Sequence, residues 1–433
     1  MIFLVLAIVA SASTWFYVNQ ILRPLQIADA AVHNQPRGNL SDLYPRWLGA
    51  RELLRHGRNP YSPEITREIQ QGYYGRPLDP ARPDDPKDQQ GFAYPAYVVF
   101  LMAPTVDLSF DTVESGFRWF LVGLAAASVL LWLRVLRWRA SFGTVLISIA
   151  LMLGWWPMVQ GIKLQQLSLL VAGLLAACGA CLTGGWLLFA GALLALATIK
   201  PQLTWPLVLW LLLWAGSDWR ARRRFLFGFG LLMLLLLGGA QLVLPGWLRM
   251  FVGAIGQYHQ YTQNQSVLVW MFGAVIGHFL EAVSIIACAF CAWPLRKEPA
   301  TSIAFGQAMG LVFALTVLIV PMFAPYNQVL LAPAILALLR SESCGEPILP
   351  AVRLARAVGA VVLVWPWIAT VGLTLAYVWL TPAGLQRLWA LPLYPNFIVP
   401  VFIFGLALLN TWMSAGEIGM SQPRTLRDTA PAE

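Results

Sequence analysis

Residues 42–61 read DLYPRWLGARELLRHGRNPY, and the rest of the chain is read outward from them. Ser41 is placed to cap a helix that holds Asp42 in its first turn and runs to about His56. Leu43, Trp47, Ala50 and Leu54 recur at helical spacing on one face, with Arg46, Glu52, Arg55 and His56 directed away from it. Gly57 suits the C-terminal cap, and Asn59-Pro60 the turn beyond. A short helix with a Trp/Leu face and arginines opposite is expected to lie in a bilayer interface rather than cross it. The dipole at its N-terminus would keep the Asp42 carboxylate ionised. These residues alone leave Asp42 two roles, a helix-capping acid or a reactive carboxylate at a membrane surface.

Composition sets the environment. Of 433 residues, 58% are hydrophobic and only 11% charged, against roughly a quarter charged in soluble proteins. Mean hydropathy is +0.66, so the chain reads as an all-α polytopic membrane protein whose first partner is the lipid bilayer. The net charge of +9 does not point to nucleic acid, because the arginines sit in short loops between apolar runs and no basic-aromatic stripe is visible. Cys178/Cys181 and Cys288/Cys291 have CxxC spacing, but within apolar helical runs they read as small hydrophobes, so neither a metal nor a cofactor is expected. Cys344 stands alone in a loop. The segment Ile2 to Leu22 carries no charge before it and no small-residue cleavage site, and is expected to be a retained anchor.

Apolar runs that could span a bilayer fall at about 2–22, 116–135, 142–158, 166–183, 186–199, 203–215, 225–244, 270–294, 301–321, 327–339, 357–379 and 394–412. Basic residues orient them. Arg134, Arg137 and Arg139, then Arg220, Arg222, Arg223 and Arg224, then Arg296 with Lys297, Arg340, Arg353, Arg356, Arg424 and Arg427 all fall in alternate loops. If those loops are cytoplasmic, twelve crossings alternate without conflict and both termini lie inside. The loop 23–91 then faces outward and carries most of the acids. Within it, Arg76 to Gln90 is rich in Pro and charge and reads as a mobile, solvated excursion. Phe92 to Thr105 is apolar but short and broken by Pro95 and Pro104, so a re-entrant or interfacial segment is expected. The tail, 413–433, lacks apolar periodicity and is expected to be disordered and cytoplasmic.

Three outer stations place polar residues at helix breaks. They are Pro157 to Gln166 (PMVQGIKLQQ), Lys200-Pro201-Gln202, and Pro321 to Gln328 (PMFAPYNQ). Broken backbone at that depth is tolerated only beside a cavity. Lys200, between two long apolar runs, has two readings, snorkelling to the interface or binding an anionic headgroup as a compact charge; Lys163 has the same two. His278 and Glu281 lie inside an apolar run, and either pair with each other or mark a broken helix end. His259, in GQYHQYTQNQS, is a proton donor, a phosphate ligand or an ordinary loop residue.

In order, these landmarks resemble the family 87 glycosyltransferases of the GT-C superfamily. The resemblance rests on Asp42 followed by W-x-G-A-x-x-L-L-x-x-G-x-x-P-Y (Trp47 to Tyr61), F-x-Y-P (Phe92 to Pro95), and the Gly/Gln turn Gln160-Gly161 through Gln165-Gln166. It continues through A-G-x-L-L-A-L-A-T-x-K-P-Q (Ala190 to Gln202), N-Q-S (Asn264 to Ser266) and a late Pro-rich outer turn. It implies a single GT-C transmembrane domain over 1–412 of a multi-pass cell-membrane enzyme. That enzyme would take a mannose-like hexose or a pentose from a polyprenyl-phosphate donor to a glycolipid or glycan acceptor on the extracytoplasmic face, with inversion. Asp42 would be the general base and Lys200 the phosphate ligand. Gln202, Gln160, Lys163 and Gln165 would line the same cavity, with Arg46, Tyr61, His259, Tyr326 and Asn327 as further substrate contacts. Where many relatives carry Trp and His in the late turn, this chain has Ala324-Pro325-Tyr326-Asn327-Gln328. The competing classes are a flippase of lipid-linked sugars, which usually shows internal symmetry that is not visible here, and a structural subunit with a degenerate site.

Overall fold

A computed structural model describes residues 1–32, 41–79, 81–262, 265–321, 324–343 and 350–421, and these are all-helical, with no strand among them. Each of the twelve apolar runs falls on a helix, but few helices have spanning length. Six combine length with apolar composition: Ile2–Val32, Phe110–Val135, Trp219–Val243, Val267–Leu295, Val352–Ala376 and Leu391–Ser414. A seventh arises if Phe142–Gly154 and Trp156–Lys163, bent by 57°, act as one span. Leu187–Ala197 has 11 residues, about 16 Å at 1.5 Å per residue, half the bilayer core. By length and composition six or seven helices of this multi-pass membrane protein are long enough to cross, where twelve crossings were expected; Leu167–Thr183 and Ile303–Ile319 are apolar but shorter.

The first helix outruns its expected end at Leu22 and continues to Val32. Pro24 would break an ordinary helix, because its ring meets the carbonyl four residues back. Here the π-helical stretch Tyr17–Leu22 precedes it, and the Arg23 amide bonds the Val18 carbonyl, five residues back. That shift in register carries the chain past the proline. At the other end, Ile398–Ser421 is helical beyond residue 413, where a disordered tail was expected. Residues 422–433 lie outside the described part, as do Asn264 and Cys344. The other four cysteines are free thiols within helices.

Packing depends on glycine at one crossing in particular. Gly191 of Leu187–Ala197 meets the Phe225 carbonyl and Gly228 of Trp219–Val243 meets that of Leu188, with no room for a Cβ at either. Small residues let two backbones touch where lipid supplies no hydrophobic drive. Ile303–Ile319 sits at the centre, buried almost end to end. Arg222, one of the basic loop cluster expected on the cytoplasmic side, is buried. Its guanidinium donates to the carbonyls of Trp214, Arg296, Lys297 and Glu298 and lies 4.2 Å from the Trp214 ring.

The helix around which the sequence was read spans Tyr44–His56, two residues later than expected. Ser41 does not cap it; Leu43 holds the cap position with no side-chain bond, Pro45 stands in the first turn, and Gly57 ends it with φ 66°. Leu43, Trp47, Ala50 and Leu53 are buried, but against protein rather than lipid. The partner is the stretch Phe92 to Thr105, which forms only the short helix Val98–Met102 and the 3-10 turn Ala103–Thr105. Phe92 fits over Gly49, and the Trp47 indole donates to the Thr105 carbonyl at 3.1 Å. Glu52, expected on the solvent side, is buried with its carboxylate on Arg58 at 2.8 Å and His56 at 3.1 Å.

Gly191→Leu and Gly228→Leu are each expected to abolish the monodisperse peak in detergent size exclusion. Gly230→Leu, whose Cβ position is open, is expected to leave it intact.

Candidate active site

Three chain breaks deliver polar side chains to one cavity of about 250 Å³. In the first, Gln165 adopts a left-handed backbone (φ 49°) and folds its amide back onto the carbonyls of Ile162 and Lys163, both at 2.8 Å. That turn leaves Gln166 at the head of Leu167–Thr183, lining the cavity. In the second, Lys200 joins Leu187–Ala197 to Pro201–Gly216 with non-helical φ and ψ of −120° and 80°. The third is the late turn, where Pro325–Leu331 forms a 3-10 helix and places Tyr326 in the wall. Asp42 enters just ahead of Tyr44–His56, its amide bonded to the Leu164 carbonyl at 2.9 Å.

The core of the site is a chain of hydrogen bonds. Gln166 Nε2 donates to Asp42 Oδ2, and Gln166 Oε1 accepts from Lys200 Nζ at 2.9 Å. One carboxamide therefore joins the acid to the ammonium. Lys200 also donates to Ser168 Oγ at 2.8 Å, and Ser168 donates in turn to Asn327 Oδ1 at 2.8 Å. Only 4% of Lys200 is exposed, which rules out snorkelling to water. The ammonium lies 5.6 Å from the Tyr94 ring centroid and 5.4 Å from that of Tyr326, within cation–π range. With two N–H groups used, the third is left for a ligand. Arg46 also lines the cavity, 4.4 Å from the Tyr94 ring centroid, and donates to the Asp42 carbonyl at 2.8 Å.

Burial is the largest influence on the charge state of Asp42. Desolvation raises its pKa above the ordinary carboxylate range; Arg46, Lys200 and the Gln166 bond oppose that shift, while Asp88 adds to it. The Tyr73 hydroxyl donates to Asp42 Oδ1 at 3.4 Å. Asp88 is also raised, again chiefly by burial. A half-buried carboxylate of raised pKa suits a group that must take up a proton during turnover.

Of the residues expected at the site, Asp42, Lys200, Gln202, Arg46, His259 and Tyr326 line the cavity. His259 does so from the helix Trp247–Thr262 rather than from a loop. Tyr61 and Asn327 stand one layer back. Tyr61 donates to the Tyr94 carbonyl at 2.6 Å, and Asn327 steadies Ser168. Gln160, Lys163 and Gln165 are not among the lining residues; Gln165 closes its own turn instead. Sequence reasoning missed Gln166, Ser168, Tyr94, Tyr258 and Asp88 as site residues. Tyr94 stood in the F-x-Y-P landmark. Asp88 was hidden in a stretch expected to be solvated. His278 and Glu281 pair with each other at 2.8 Å, outside this cavity.

The cavity is thus a polar chamber, set among membrane helices, that holds a carboxylate and a buried ammonium. Residues 92–321 match the sequence model of glycosyltransferase family 87. That is more than half of the chain, which belongs to this family and is a membrane glycosyltransferase. Comparison with curated proteins and with solved structures gives no match. Lys200 and Gln166 lie inside the matched span and Asp42 lies upstream of it.

Gln166→Leu removes a partner from both charged groups and leaves a buried ammonium short of an acceptor, a loss of about 1–3 kcal/mol. The apparent melting temperature in detergent is expected to fall by several degrees. An unchanged value would show that the carboxamide does not bridge the two.

Proposed function

We propose that the chain transfers a hexose, mannose-like in its hydroxyl pattern, from a polyprenyl-phosphate donor to a glycolipid or glycan acceptor, inverting the anomeric carbon. The observation that carries this reading is the Asp42–Gln166–Lys200 bridge inside one cavity. Asp42 is the base and takes the proton of the acceptor hydroxyl. The acceptor oxygen attacks the anomeric carbon from the face opposite the phosphate, through an oxocarbenium-like transition state. The bond from that carbon to the phosphate oxygen breaks, and polyprenyl phosphate leaves with both electrons. Lys200 meets the charge that develops on it, using the N–H that neither Gln166 nor Ser168 occupies. Gln202, His259 and Tyr326 form the surrounding wall. Because the amide of Gln166 fixes acid and ammonium relative to each other, attack and departure are held in one geometry before substrate arrives.

The cavity faces the extracytoplasmic side in this proposal, and the C-terminus the cytosol. Contacts among the basic loops support that orientation. Arg222 reaches the carbonyls of Arg296 to Glu298, and Arg137 donates to the Thr301 carbonyl at 3.1 Å. The arginine-rich turns thus gather at one end of the bundle, as the positive-inside rule requires of a cytoplasmic face.

Asp42→Asn is expected to cut transfer of labelled hexose from a polyprenyl-phosphate donor by at least ~100-fold while donor affinity stays near wild type. Undiminished transfer would remove Asp42 from the chemistry. Lys200→Ala is expected to weaken donor binding by roughly 10- to 100-fold, the value of a charge-assisted contact; wild-type affinity would exclude the phosphate role. The pH profile follows from the raised pKa of Asp42. Protonated Asp42 cannot accept a proton, so kcat/KM falls as pH drops through that value. The acid limb is expected above the ordinary aspartate pKa of ~3.9, and a limb at or below it would contradict the assignment.

A further inference from the structure

Asp88 is a second carboxylate in the cavity, and the transfer chemistry has no use for a second base. Its surroundings are built. Residues 76–79 and 81–90, expected as a mobile, solvated excursion, are tied back to the helix Pro63–Tyr74 as a strap. Arg76 pairs with Asp85, whose Oδ2 also accepts from the Asp79 amide at 2.7 Å. Gln70 donates to the Gln89 carbonyl at 3.0 Å and accepts from the Leu78 amide at 3.0 Å. The Tyr74 hydroxyl donates to the Asp88 carbonyl at 2.7 Å. Gln90 then takes a left-handed backbone (φ 51°) and turns both of its donors onto the same carboxylate. Its amide reaches Oδ1 at 3.0 Å and its side-chain Nε2 reaches Oδ2 at 2.8 Å.

Each carboxylate oxygen has two acceptor sites. Gln90 occupies one on each, in a grip that fixes the plane of the group and leaves the second site on both oxygens unfilled. Asp88, Gln90, Tyr94, Tyr258 and Tyr326 all border the cavity that Asp42 and Lys200 share. A carboxylate with two acceptor positions side by side matches two adjacent hydroxyls of a sugar ring, and tyrosine rings offer apolar faces for its C–H side.

We infer that Asp88 is a specificity-determining residue that binds a vicinal diol of a hexopyranose, through two hydroxyls that each donate to one carboxylate oxygen. This rests on the transferase reading of the cavity and adds the receptor for the sugar itself, separate from the phosphate ligand and the base. The diol belongs either to the donor hexose or to a sugar of the acceptor, and the two sources are separable by experiment.

The test is equilibrium binding, followed by intrinsic tryptophan fluorescence, of the full chain in nanodiscs to three probes: polyprenyl phosphate, polyprenyl-phosphate mannose and octyl α-mannoside. Wild type, Asp88→Asn and Asp88→Glu are compared. Asp88→Asn is expected to bind polyprenyl phosphate like wild type but to lose roughly 10- to 100-fold in affinity for a sugar-bearing probe. Asp88→Glu, which keeps the charge, is expected to retain part of that affinity. Loss confined to polyprenyl-phosphate mannose assigns the diol to the donor; loss confined to octyl α-mannoside assigns it to the acceptor. Either loss supports the inference. Unchanged affinity of Asp88→Asn for both sugar probes overturns it, as does an equal loss for bare polyprenyl phosphate with a lowered melting temperature, which marks a structural role. Failure of wild type to bind any polyprenyl-phosphate probe would instead refute the polyprenyl-phosphate donor of the proposed function.

Discussion

An ammonium buried in a bundle of apolar helices is the constraint that shapes the rest of this structure. An unpaired charge there costs several kcal/mol, and Lys200 is 4% exposed, so its surroundings must supply what water would. They do so with one carboxamide oxygen, one hydroxyl and two aromatic faces. The suppliers come from three separate parts of the chain. Gln166 and Ser168 open one helix, Tyr94 sits in the apolar stretch after the strap, and Tyr326 begins the late 3-10 turn. The helix breaks that look like defects in a hydropathy plot are where those partners enter.

The same demand orders the outer region. Gln166 can accept from Lys200 with only one end of its amide, so the other end, a donor, faces Asp42. Asp42 is in turn set by Tyr44–His56, whose apolar face lies on Phe92 to Thr105. A helix expected to rest in the bilayer surface rests on protein, where Phe92 packs over Gly49 and the Trp47 indole bonds the Thr105 carbonyl. The catalytic carboxylate of the proposal is thereby carried on a rigid platform rather than on a lipid-anchored arm.

Much of this was legible in the sequence, and the failures have physical causes. Asp42 and Lys200 were readable because a carboxylate at a helix start and a lysine between two apolar runs are rare in such a composition. The choice of Gln165 over Gln166 turned on one backbone angle, the left-handed φ of Gln165, which composition does not announce. Asp88 was unreadable because Pro and charge usually mean solvated chain; the ties from Gln70, Tyr74 and Asp85 are long-range and set by tertiary contact. Ser168 looked like one small residue among many. The burial of Arg222 was not legible because its partners are backbone carbonyls, which every sequence contains. Hydropathy counts more apolar runs than there are helices of full spanning length for a related reason. A short apolar helix sheathed by its neighbours has the same composition as one bathed in lipid.

The Ile303–Ile319 helix shows where that reasoning leads. Its side chains are buried from Ala304 to Leu318, and it packs on Pro201–Gly216, Val267–Leu295, Ala332–Ser343 and Ile398–Ser421. Having no acyl chains beside it, it is the bundle's spindle rather than part of its rim. It can host neither a lateral portal for a lipid-linked substrate nor a sliding boundary. For the lipid-linked donor proposed above, this places the approach of its tail along the periphery of the bundle.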